Sequence, residues 1–141
     1  MTRTISRWWP TGVILLGAGA MWLAWSGVVG IVSAVLLIVY AWMVSPAFFP
    51  RSADLPLALE RARAGDAPLV FWKPGCTFCI GMRLGVGAAG RRVSWVDSSI
   101  DEQARAVVRS QNGGDHTTPT VMFGAETRTN PDVAWVRTLL H

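Results

Sequence analysis

The sequence predicts an α/β domain with a mixed four-stranded sheet, preceded by an apolar helical hairpin. Three observations carry this. Residues 8–50 contain no Lys, Arg, Asp, Glu or His, while all nine acidic residues lie beyond position 50. After residue 67, short β-branched and aromatic runs alternate with helix-like segments, the pattern of a sheet with crossovers. The chain's two cysteines form Cys76-x-x-Cys79 directly after one of those runs.

Crossing a hydrocarbon core of about 30 Å takes roughly 20 apolar helical residues, and residues 8–49 hold enough for two spans. Ser26, Gly27 and Gly30 supply a turn, giving candidate transmembrane helices over 8–25 and 28–45. Trp8, Trp9, Trp22, Trp25, Tyr40 and Trp42 fall mostly toward their ends, where amphipathic rings favour the headgroup region. Arg3 and Arg7 precede the first span, and Arg51, Arg61 and Arg63 follow the second. The positive-inside tendency then predicts a multi-pass protein of the plasma membrane, with both termini and the following domain cytoplasmic and the lipid bilayer as a partner. A cleaved signal peptide shares the basic start but not the second apolar run. A hairpin buried in one globular domain needs more covering chain than the roughly 90 residues that remain. Residues 1–49 thus read as the hairpin, 50–66 as a linker with a short helix, and 67–141 as the α/β domain.

Net charge is +4, of which Arg3 and Arg7 contribute two, and no basic stripe is interleaved with aromatics. This excludes a nucleic-acid footprint. Pro46, Pro50 and Pro56 suggest an irregular connector. A short helix follows over 57–64, with Leu57, Leu59 and Ala62 apolar, Arg61 and Arg63 outward, and a stop at Gly65-Asp66.

The remaining elements are a strand over 69–73, a helix from Cys76 to about Ala88, a strand over 93–97, a helix over 101–110, strands over 120–123 and 126–129, and a helix over 131–140. Asp101, and Asn130 ahead of Pro131, are the helix-start signals. Gly124-Ala125 joins the last two strands as a hairpin. Gly81, Gly85 and Gly87 interrupt the helix after Cys76, and close packing is expected at Gly81 with fraying near Gly87. Trp72, Trp95, Trp135, Phe123 and Val121 are expected in the core.

A thiol pair two residues apart is a redox device or half a metal site. Leu69-Val70-Phe71-Trp72 is stopped by Pro74-Gly75, which sets Cys76 at a helix N-terminus, where unpaired N–H groups and the dipole favour a thiolate. Thiols so placed have pKa values of roughly 3.5 to 7.5, against about 8.5 for a free cysteine. Cys76 is the expected nucleophile, and Cys79, one turn deeper, the resolving thiol. Zinc wants four ligands, and beyond the cysteines the candidates are His116 and His141. An iron–sulfur cluster shared between two chains is the other non-enzymatic reading. In an exported domain the same thiols would turn to oxidation or isomerisation.

Thr117-Thr118-Pro119-Thr120-Val121 puts a proline at the mouth of a strand, a position that often has a cis peptide bond and exposes the preceding backbone. Together with the Cys-x-x-Cys about 40 residues upstream, this resembles the thioredoxin superfamily and, within it, the glutaredoxins. Asn112-Gly113-Gly114, then Thr117-x-Pro119-Thr120-Val121, then Thr129-Asn130-Pro131 resembles the actinobacterial mycoredoxins, over roughly residues 68–140. The resemblance implies a thioredoxin-like fold, and an enzyme that reduces mixed disulfides between protein cysteines and mycothiol as co-substrate, with no bound cofactor. By position it implies Cys76 as attacking thiol and Cys79 as second thiol. Thr118 and Pro119 would align the incoming disulfide, and Asn130 would lie near the small thiol. Thr77 and Phe78 would form the outward platform between the cysteines, and Lys73 would stabilise the thiolate. Glutathione-binding members have a Gly-Gly pair and an acidic residue around the last turn; here it reads Thr129-Asn130-Pro131-Asp132, which leans toward a sugar-linked thiol.

Overall fold

The structure, a computed structural model, describes residues 2–25 and 27–140. Ser26, one of the expected turn residues, and His141, one of the candidate zinc ligands, lie outside them. The chain divides into two units, Met1–Phe48 and Phe49–His141.

The first unit contains α1 (Thr2–Ala24) and α2 (Val28–Val44), which pack on each other, and a 3-10 turn over Pro46–Phe48. Gly30 is required where they turn, because the Trp25 carbonyl oxygen occupies the place its Cβ would take. Among the described residues no helix is long and apolar enough to cross a membrane. This corrects the expected transmembrane hairpin, and with it the multi-pass membrane location and the cytoplasmic orientation. The reason is in the helix lengths and contents. The second helix stops after 17 residues, which at about 1.5 Å per residue is roughly 25 Å, short of the ~30 Å core. The first is 23 residues long, but it begins at Thr2, takes in Arg3, Ser6, Arg7, Pro10 and Thr11, and is diluted by Gly12, Gly17 and Gly19.

The second unit is α/β. Its mixed four-stranded sheet has the order β2-β1-β3-β4, with β1 (Leu69–Trp72), β2 (Ser94–Asp97), β3 (Thr120–Phe123) and β4 (Glu126–Thr129). β1 runs parallel to β2, pairing Trp72 with Asp97, and antiparallel to β3, which forms an antiparallel hairpin with β4. Gly124 makes that hairpin turn with a φ of 59°, open to glycine at little cost. The outer edge of β2 is covered by the preceding chain, where Ala53 N–H donates to the Trp95 carbonyl at 2.8 Å and Ser52 Oγ accepts from Asp97 N–H at 3.0 Å.

α3 (Leu55–Ala64) starts two residues earlier than the sequence suggests. Asp54 caps it, accepting the Leu57 amide at 3.1 Å, and Pro56 sits in the first turn, where its missing N–H costs nothing. The register therefore buries Leu55, Ala58 and Ala62 and leaves Leu57 exposed. With Ala104 and Val108 of α5 (Glu102–Gln111) they cover Leu69, Phe71 and Val96 on one face of the sheet. Asp101 starts α5 by accepting the Gln103 and Ala104 amides at 2.9 and 3.1 Å.

On the strand, side chains alternate between faces, so Val70 and Trp72 face the other way from Leu69 and Phe71. There Phe49 stacks on Trp72 at 3.9 Å and meets Trp95 edge-on. α4 (Thr77–Val86) and α6 (Val133–Thr138) pack together, and a 3-10 segment over Gly87–Arg92 follows α4, its Gly90 carbonyl accepting the Trp95 indole N–H at 3.1 Å. Of the expected core residues, Trp72, Trp95 and Val121 are buried. Phe123 and Trp135 are half-buried, the latter under the Arg128 guanidinium at 4.3 Å.

Close packing falls at Gly85 and not at Gly81. A Cβ on Gly85 would stand 2.5 Å from Val133 Cγ1, whereas one on Gly81 meets nothing within 4 Å. Gly85→Ala is expected to destabilise the unit by up to about 2 kcal/mol, because overpacking of about 1–3 kcal/mol outweighs the helix-propensity gain of about 1 kcal/mol. Gly81→Ala should stabilise it by about 0.5–1 kcal/mol, since only the propensity gain applies there. Urea midpoints of the two variants check the sign of each.

Candidate active site

The chain leaves β1 through Lys73 and Pro74, turns at Gly75 with a φ of 76°, and reaches Cys76 in extended conformation as the N-cap of α4. Its sulfur does the capping, accepting the Cys79 amide at 3.2 Å. Cys76 and Cys79 are joined as a disulfide, with their Cα atoms 5.2 Å apart. Cys76 is 9% exposed and Cys79 wholly buried, so attack from outside must reach the first sulfur.

Against Cys76 lies the loop that enters β3. The Thr118–Pro119 peptide bond is cis, and the Thr118 carbonyl oxygen stands 3.3 Å from Cys76 Sγ. The Pro119 carbonyl accepts the Asn130 amide at 2.7 Å, which ties this loop to the turn after β4, where Asn130 takes a φ of 47°. Asn112 braces the same two segments: its Nδ2 donates to the Val108 carbonyl and to Thr120 Oγ1, and its Oδ1 accepts from the Thr129 hydroxyl.

A groove of about 460 Å³ opens between the first turns of α4 and the 130–133 turn, lined by Thr77, Phe78, Gly81 and Met82 on one side and Asn130, Pro131, Asp132 and Val133 on the other. Phe78 is 64% exposed and forms part of its apolar wall. Asp132 is the helix N-cap of α6, accepting the Ala134 amide at 2.7 Å. The α6 helix thus begins at Val133, two residues later than Asn130-Pro131 alone suggests. Thr77, Phe78 and Asn130 meet in this groove, while Thr118 and Pro119 border the disulfide. Lys73 points to neither: its ammonium donates to the His116 carbonyl at 3.2 Å.

Sequence reasoning missed Ser98. Its hydroxyl donates to the Trp72 carbonyl at 3.0 Å and lies 2.8 Å from His116 Nε2. A hydroxyl has one proton, and the Trp72 carbonyl takes it, so His116 Nε2 carries the hydrogen of the second bond. The His116 pKa is lowered, first by burial and then by the charges of Lys73, Arg105 and Arg109, with Asp97 opposing. The ring is therefore neutral at pH 7. The signal for Ser98 is topological: parallel neighbours bring their C-terminal ends together, and the residue after β2 emerges beside the residue after β1.

In chemical terms the arrangement offers one sulfur at a helix N-terminus on a residue with a small residual exposure, a wholly buried partner sulfur, a backbone carbonyl beside the first sulfur, and an open groove with mixed polar and apolar walls. Among the described residues no group of three or more His, Cys, Asp or Glu is gathered as a metal site would need. Set against protein-family models, curated proteins and solved structures, the chain finds no match in any of the three comparisons.

Proposed function

We propose that this chain is a thiol–disulfide oxidoreductase of glutaredoxin type, which reduces mixed disulfides between protein cysteines and a low-molecular-weight thiol, and that the thiol is mycothiol. The observation that carries the reading is Cys76: a sulfur that caps its own helix, bonded to a buried second sulfur and bordered by the Thr118–Pro119 loop. A helix N-terminus stabilises the anion that forms when the disulfide opens.

In the first step the Cys76 thiolate attacks the small-thiol sulfur of the mixed disulfide, forming a new S–S bond and releasing the target protein's thiolate. A second mycothiol thiolate then attacks the same small-thiol sulfur, releasing the Cys76 thiolate and a mycothiol disulfide. Alternatively, Cys79 in its thiolate form attacks Cys76 Sγ, expels mycothiol thiolate and closes the intramolecular disulfide. Exchange of this kind is fastest when the attacker is ionised at ambient pH and the leaving thiol has a low pKa.

The groove supports the choice of thiol. Seven of its eight wall residues are uncharged, Asp132 being the exception with one carboxylate oxygen on the α6 cap, and the turn lacks the Gly-Gly pair of glutathione-binding members, which together lean toward a hydroxyl-rich sugar-linked thiol. Reduction of a protein carrying a mycothiol adduct should proceed about tenfold or more faster in kcat/KM than reduction of its glutathione adduct, a difference within reach of polar contacts in a binding site. Equal rates or a glutathione preference would overturn the thiol assignment, and turnover of neither adduct would overturn the function.

A further inference from the structure

Thr118 has a buried hydroxyl: the residue is 7% exposed, and its Oγ1 has no hydrogen-bond partner among the described residues. Its neighbour Thr120 shows the ordinary case, its hydroxyl donating to the Thr117 carbonyl at 2.9 Å and accepting from Asn112 at 3.0 Å. A buried polar group without a partner is costly, and natural structures rarely keep one without a use. Thr118 is also the residue whose carbonyl oxygen touches Cys76 Sγ at 3.3 Å.

We propose that the Thr118 hydroxyl is a redox-selective donor, idle while Cys76 and Cys79 are joined and engaged with the Cys76 sulfur once it becomes a thiolate. This deepens the proposed function by assigning a hydroxyl to the reacting sulfur, and it rests on that reading for its role in turnover. In the disulfide, Cys76 Sγ is uncharged, a weak acceptor, and already holds the Cys79 amide. Two low-molecular-weight thiols reduce it by exchange: they become one disulfide, and the protein gains a Cys76 thiolate and a Cys79 thiol, with one proton released. The new anion is a strong acceptor and lies beside a carbonyl oxygen that repels it. The carbonyl stays where it is, and a turn about the Thr118 χ1 between staggered rotamers adds a charge-assisted O–H···S⁻ bond that offsets its repulsion.

If the carbonyl governs the site, the reduced sulfur keeps its proton and donates to the Thr118 carbonyl, and the hydroxyl is irrelevant.

The test is the thiolate absorbance near 240 nm of the reduced full chain, followed against pH, for wild type, Thr118→Val and Thr118→Ser. The valine variant keeps the shape and loses the donor, so its Cys76 pKa should rise by about one unit, a tenfold smaller thiolate-to-thiol ratio below the pKa. Its disulfide should also become about tenfold harder to reduce, close to 30 mV for a two-electron couple. Serine keeps the donor and should titrate like the wild type. An unchanged curve for Thr118→Val, or a serine variant that behaves like valine, would overturn the proposal. No substrate enters this titration, so it stands or falls separately from the turnover of mixed disulfides.

Discussion

Replacing Cys76 with serine is expected to cut reduction of a mycothiol mixed disulfide roughly a thousandfold or more, to the uncatalysed level. A serine hydroxyl stays protonated at neutral pH whatever the helix dipole does, so the nucleophile is lost. The fold is not lost with it. Cys76 is the N-cap of α4, and serine is among the preferred residues at that position, so the helix keeps its cap. Cys79→Ser removes a wholly buried sulfur that the proposed one-cysteine route does not use, and it should retain a substantial part of the turnover by that route. Steady-state rates on the same mixed disulfide, with circular dichroism to confirm folding, check both. Equal loss in the two variants would exclude the one-cysteine route.

The largest expected effect on stability is at Phe71, in the middle of β1, a strand with neighbours on both sides. Its side chain is inaccessible to solvent and packs with α3, α5 and Val96. Phe71→Ala loses the transfer energy of the ring and leaves a cavity that a tightly paired strand cannot collapse into, a cost of about 3–5 kcal/mol. Small domains have only about 5–15 kcal/mol in total, so the urea midpoint should fall by about a fifth or more. A loss of unfolding free energy below about 1 kcal/mol would mean that the core around β1 is not closed as described.

Much of the α/β unit was legible because its punctuation is local. β3 and β4 have the bounds the sequence suggests, since Pro119 opens the first and Gly124-Ala125 separates them. Asp101 fixed the start of α5 for the same reason, a short carboxylate within reach of two free amides. Where two start signals competed, the nearer capping geometry won: Asp132 over Asn130-Pro131 at α6, and Asp54 with Pro56 over the proline-as-connector reading at α3. Gly81 and Gly85 look alike in sequence, and only the approach of Val133 distinguishes them. The transmembrane reading failed on the content of α1 and the length of α2. Charge-free composition speaks to what a segment tolerates around it, but not to where its helix stops, and α2 stops after 17 residues.

The candidate site was legible as a pair of motifs, because Cys76 and Thr118 belong to segments with strong local signatures. What joins them was not. His116 meets Ser98 across 18 residues, and Lys73 turns to the His116 carbonyl, contacts set by strand order that no spacing along the chain encodes. Phe78, by contrast, is exposed because a helix's first turn leaves the second position after the cap facing outward once Cys79 and Ile80 take the core.

That the Cys76 sulfur secures the Cys79 amide makes the first turn of α4 an electrical component as well as a mechanical one. Oxidation weakens the very acceptor that holds this turn, and reduction strengthens it, so electron count and helix tension are two readings of a single gauge. Anything that tightens the turn, a ligand lying along it included, thereby favours the reduced protein, and reduction in equal measure favours the ligand.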